Sequence, residues 1–116
     1  MKTFCEIAAK IIVPAIRALL ALTLIEKYNM TQVEVAKKLG TSQPAISYYM
    51  HSKRGKLALS ILKSNKEIVE MVEELANNIY KGNMDDADIS LIFCNICKII
   101  RENKKLIEDI NMLLSR

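Results

Sequence analysis

Three glycines and two prolines punctuate a chain of 116 residues. Sheets need turns, and turns draw heavily on these two residues, so a chain this poor in both is confined to helices with short connections. The composition agrees: 51% of the residues are hydrophobic, enough to bury a core and too many for a disordered polymer. The expected fold is all-α. An N-terminal bundle of about five short helices spans residues 1–63, and a helical hairpin with a long last helix spans residues 64–116. No Gly-rich phosphate loop is present, which removes Rossmann and P-loop enzymes. His51 is the single histidine, so a multi-histidine metal site is excluded and a Ser-His-Asp triad could be built only there.

The run from Phe4 to Ile25 is apolar at first sight but contains Glu6, Lys10, Pro14 and Arg17. The charges are costly in hydrocarbon and the proline interrupts a helix, so the run reads as a buried helix pair and not a membrane span. It has no small-residue cleavage site, and acidic Glu6 does not suit a leader. The expected compartment is the cytoplasm, where cysteines stay reduced.

Charge is divided unevenly. Residues 1–63 carry ten Lys/Arg against three Glu, a net of +7, and residues 64–116 carry seven against ten acids, a net of −3. A basic front on an acidic back predicts a polyanionic partner for the front alone.

Capping signals set the helices of the front. Pro14 starts or kinks a helix whose apolar residues Ile16, Leu19, Leu20 and Leu24 repeat at helical spacing. Thr31 and Glu34 form a capping box. The short helix they open carries Val35, Ala36 and Leu39 on one face and closes at Gly40. Ser42 caps the next helix, with Pro44 in its first turn and Ile46, Tyr49 and Met50 facing inward. A further short helix covers about Leu57 to Leu62. Ser64 and Glu67 read as a second capping box, opening a helix with Ile68, Val72, Leu75 and Ile79 inward and Gly82 at its end. Asp85, Asp86 and Asp88 suit a helix start. From Asp86 to Leu114 there is no Gly or Pro, so one unbroken helix is expected.

Two short helices about Gly40, with small Ala36 at their crossing and Val35, Leu39, Ile46 and Tyr49 between them, have the pattern of a helix-turn-helix. Leu39-Gly-Thr-Ser-Gln-Pro-Ala-Ile-Ser-Tyr-Tyr49 resembles the turn and recognition helix of the lambda-repressor-like DNA-binding domains. With Cys5-Glu6, Pro14-Ala-Ile-Arg-Ala18 and Arg54-Gly55, the front half resembles archaeal regulators of this type. Some of those carry a C-terminal thiamine-phosphate synthase-like domain, which this chain is too short to hold. The resemblance implies a transcriptional regulator of double-stranded DNA that is not an enzyme.

A recognition helix lays its N-terminal residues against base edges in the major groove. Gln43 is the leading base reader, because its amide can pair bidentately with adenine. Pro44 shares this leading edge. Ala45 is small enough to meet a thymine methyl, and Ser47 and Tyr48 follow one turn later. Thr41 and Ser42 at the helix start, and Thr31 and Gln32 at the start of the preceding helix, are phosphate candidates. Lys53, Arg54 and Lys56 are placed to grip the backbone.

Binders of this kind usually pair, setting two recognition helices about 34 Å apart on a pseudo-palindromic operator. The expected pairing element is the C-terminal helix. Ile89, Ile92, Ile96, Ile99, Asn103, Leu106, Ile110 and Leu113 alternate at three- and four-residue spacing, an a/d heptad with Asn103 at an a position, where it could fix the register of a homodimer.

The cysteines leave three readings open. Cys5, Cys94 and Cys97 are small buried hydrophobes, or a redox pair, or ligands of a metal site, with an iron–sulfur cluster ahead of zinc. Cys94 and Cys97 are poorly spaced for a relaxed disulfide within one helix. Two alternatives to the DNA-binding reading are a helical protein-interaction module and a thiol oxidoreductase. The latter lacks a strand framework around its Cys-x-x-Cys.

Overall fold

A computed structural model describes residues 8–114 of the chain. Its first element is a π-helical turn, Ala8–Ile12, which runs into helix α1, Val13–Tyr28. Pro14 sits in the first turn of α1. Its ring excludes a normal bond to the Lys10 carbonyl, and the chain ahead of it winds wider. Ala15, Ile16, Ala18, Leu19, Leu20, Ala21 and Leu24 are all buried. A helix buried on nearly every side is a central post, and α1 packs against each of the next five helices. It ends at Asn29 in the left-handed region (φ 55°), where the Met30 amide donates to the Leu24 carbonyl at 3.4 Å.

Helices α2 (Gln32–Leu39), α3 (Gln43–His51) and α4 (Lys53–Lys63) wrap one side of this post. Helix α5, Lys66–Lys81, lies along another and buries Ile68, Val72, Leu75, Ala76 and Ile79. Each large side chain of that stripe contributes about 1.5–3 kcal/mol on burial. At the end of α1, Tyr28 stacks on Tyr80 of α5 with centroids 4.5 Å apart, and its hydroxyl donates to Asn77 Oδ1 at 3.3 Å. The exposed Lys27–Glu73 pair at 3.4 Å adds at most about 1 kcal/mol.

The capping box expected at Ser64 is displaced by one residue. Helix α4 runs through Lys63 and leaves Ser64 helical, its hydroxyl donating back to the Ile61 carbonyl at 2.6 Å. Asn65 is extended instead, and its Oδ1 accepts the Ile68 amide at 3.1 Å. Asp85 and Asp88 form a reciprocal capping box at the next start.

The unbroken C-terminal helix is not found. Helix α6 covers Asp86–Glu102 and helix α7 covers Lys104–Leu114. Between them Asn103 is extended (φ −102°, ψ 103°), and its Oδ1 accepts the Leu106 amide at 3.1 Å. Asparagine competes with a helix by bonding nearby backbone, which makes it a good cap and a weak interior residue. The break lets α7 fold onto α4. The expected heptad seam is therefore not continuous: Ile96, Leu106 and Ile110 are buried within the monomer, and Ile89, Ile92 and Ile99 are half-buried against the same core. The Leu113 side chain lies outside the described ones.

No helix of the described residues is long and apolar enough to cross a membrane. The core is one cluster from Ile11 to Ile110, with no buried polar residue among those described. Replacing Asn103 by Ala removes the α7 cap. The expected result is a loss of about 1 kcal/mol in urea unfolding and faster amide exchange confined to α7.

Candidate nucleic-acid interface

Local hydrogen bonds build the two helices of the motif. Thr31 Oγ1 accepts the Glu34 amide at 3.1 Å while Glu34 Oε1 accepts the Thr31 amide at 3.2 Å, so both ends of the capping box are made. Gly40 closes α2 at φ 67°, a conformation in which a Cβ is strained. The Thr41 amide then donates to the Ala36 carbonyl at 2.9 Å, and Ser42 Oγ accepts the Ala45 amide at 3.2 Å to start α3. Val35, Ala36 and Ile46 are buried where the helices cross, and Leu39, Tyr49 and Met50 pack against the core. The inward assignment of Tyr49 holds.

The opposite side of α3 is open. Ser42, Pro44 and Tyr48 are exposed, and Thr41, Gln43, Ala45 and Ser47 are half-buried. Tyr48 stands out at 67% exposure, its ring edge-on to Tyr49 at 6.3 Å. Gln43 is not free on this surface: its Nε2 donates to Gln32 Oε1 at 2.6 Å. Both glutamines occupy the first position of their helices, eleven residues apart. Gln32 was expected only as a phosphate contact, and its role in holding Gln43 was missed. A spacing that repeats helix starts could have signalled it.

A second missed residue is His51, the last of α3. Its Nδ1 donates to the Ser47 carbonyl at 2.8 Å and lies 3.4 Å from Ser47 Oγ.

Helices α3 and α4 meet at Ser52. Its amide donates to the Tyr48 carbonyl at 2.9 Å, ending α3, and its Oγ accepts the Gly55 amide at 2.9 Å, starting α4. A Cβ on Gly55 would collide with the Tyr49 carbonyl oxygen, so the crossing requires glycine. Lys53 and Lys56 are exposed at this start; the Arg54 side chain lies outside the described ones. From Gln32 to Lys63 the one acid is Glu34, against six Lys/Arg, and its carboxylate is engaged by the Thr31 amide. Beside α3 the described charged side chains at the start of α4, Lys53 and Lys56, are both cationic and exposed.

The cysteines do not gather with these residues. Cys94 is exposed on α6 and Cys97 is half-buried beside it; Cys5 lies outside the described residues. No group of three or more His, Cys, Asp or Glu able to hold a metal occurs among the described residues. Burial pushes the Cys97 thiol above its ordinary value, with Cys94 adding to the shift.

Residues 23–63 match the helix-turn-helix family model, which supports a DNA-binding transcription regulator. No curated protein and no solved structure matches the chain.

The raised Cys97 value leaves less thiolate there at neutral pH, and thiolate is the nucleophile. Iodoacetamide is expected to alkylate Cys94 well before Cys97, with Cys97 gaining only as pH rises past the ordinary thiol range. Peptide mass spectrometry over a time course checks this order.

Proposed function

We propose that the chain is a sequence-specific transcriptional regulator that holds double-stranded DNA through α3 and acts as a homodimer on a pseudo-palindromic operator. The Gln43–Gln32 hydrogen bond on an open helix edge, with exposed Lys53 and Lys56 beyond its end, carries this reading. One hydrogen of the Gln43 amide goes to Gln32. The other hydrogen and the carbonyl oxygen remain, and they are the donor–acceptor pair that adenine N7 and N6 require. Fixing a flexible glutamine before DNA arrives lowers the ordering cost of binding by about 0.5–1.5 kcal/mol.

Ala45 is small enough to meet a thymine methyl, with Ser47 and Tyr48 one turn on. Thr31, Thr41 and Ser42 take phosphates from two helix starts, where amides and dipole favour anions. Lys53, Arg54 and Lys56 grip the flank, and counterion release from those contacts supplies affinity without sequence preference.

A single α3 reaches few base pairs, so two copies are needed for a useful operator. With the seam broken at Asn103, we assign pairing to α6, where Leu91 is exposed beside half-buried Ile92. Helical protein-interaction modules share the architecture, but exposed Lys53 and Lys56 beyond α3 favour the nucleic-acid reading.

Gel-shift titrations across salt concentrations test the reading. Gln43→Ala is expected to cost about 1–3 kcal/mol and relax preference at one base position, whereas Lys56→Ala weakens all sequences alike and reduces the salt slope by about one. Binding that ignores salt and both substitutions overturns it. Leu91→Glu is expected to shift the protein to monomer in analytical ultracentrifugation and to weaken operator binding. An unchanged dimer would place the pairing surface elsewhere.

A further inference from the structure

Where the first turns of α6 approach the helix-turn-helix, they leave a half-open cavity of about 400 Å3, a size that suits a small metabolite. Arg17 of α1 and Lys38 of α2 supply two cations to its wall, and Asp86 of α6 supplies one carboxylate. Leu39, Ile89 and Phe93 supply its apolar part, and Gly40 and Ser90 complete the wall. Asp86, Ile89 and Phe93 fall three and four residues apart, so α6 presents them on one face.

Among the described residues, the charges of this wall have no partner. Among the described residues the ion pair is Lys27–Glu73, and the side chains of Arg17, Lys38 and Asp86 have no hydrogen bond to another described residue. Arg17 is half-buried, and a guanidinium in that position gains more from a carboxylate than one in open water.

We propose that this cavity binds a free α-amino acid with an apolar side chain. Its carboxylate meets Arg17 and Lys38, its ammonium meets Asp86, and its side chain lies against Leu39, Ile89 and Phe93. A plain anion would leave Asp86 opposed to it, and a plain amine would face two cations. A zwitterion with a short apolar body gives each charged group of the wall an opposite charge and each apolar one a contact, with Ser90 beside it. The bound molecule joins α6 to the end of α2, next to the Gly40 turn that sets α3. That consequence for DNA rests on the regulatory reading; binding to the cavity does not.

The full chain is titrated with L-leucine, L-phenylalanine, 4-methylpentanoate (leucine without its ammonium) and 3-methylbutylamine (leucine without its carboxylate). Backbone amide NMR locates binding and calorimetry measures affinity. Saturable shifts at residues 38–41 and 86–90 are expected with at least one of the two amino acids. For leucine the affinity is expected to be at least about tenfold above either one-charge analogue. Arg17→Gln and Asp86→Asn are each expected to lower affinity by at least about tenfold. Asp86→Asn leaves the Asp85 cap intact and serves if the first variant folds poorly. No saturable shift with either amino acid, equal binding of 4-methylpentanoate, or an Asp86→Asn variant that binds like the parent overturns the proposal. Amino-acid shifts in a protein that ignores DNA would uphold the cavity and overturn the regulatory reading alone.

Discussion

Burial of α1 around nearly its whole circumference is the constraint on which the rest depends. Alanines at 15, 18 and 21 alternate with Ile16, Leu19, Leu20 and Leu24, so neighbours approach closely on some sides and interdigitate on others. Helices α2 to α6 all take their position from this one post. The surface that bears α3 is therefore a rigid outgrowth of the core. The short helices of the motif, which would be unstable alone at eight and nine residues, hold their crossing because Val35, Ala36 and Ile46 are anchored to it.

What was legible in the sequence was mostly local. A Thr–Glu capping box, a glycine after a short apolar stripe and a serine before a proline each act within four residues, so their geometry follows from residue type alone. The amphipathic stripe of α5 was equally plain, because burial period and residue order coincide. Asn103 was misread because one residue type serves two roles: a polar a position in a coiled coil and an N-cap look alike in a linear string. The apolar spacing on either side continued through it, and only the fold of α7 onto α4 separates the two. Ser64 and Asn65 are both good caps, and where α4 ends decides between them.

The candidate surface was legible in the helix positions of its residues and less so in its wiring. Gln43 was recognisable from its place at a helix start, but its bond to Gln32 depends on the crossing of two helices, which no local signal encodes. The same holds for the meeting of Arg17, Lys38 and Asp86, which come from three helices. Residues that share chemistry through tertiary packing are the ones a one-dimensional reading misses.

Ser52 belongs to two helices at once, ending one and beginning the other, with Gly55 packed under the carbonyl of Tyr49. One residue is the whole of their junction. On the proposed reading, the offset between the side chains offered to bases and the lysines offered to the backbone is a fixed ruler. On a duplex whose groove is too narrow or too wide for that ruler, the protein cannot adapt. The mismatch falls on the DNA, whose bending stiffness then enters selectivity at base pairs no side chain touches.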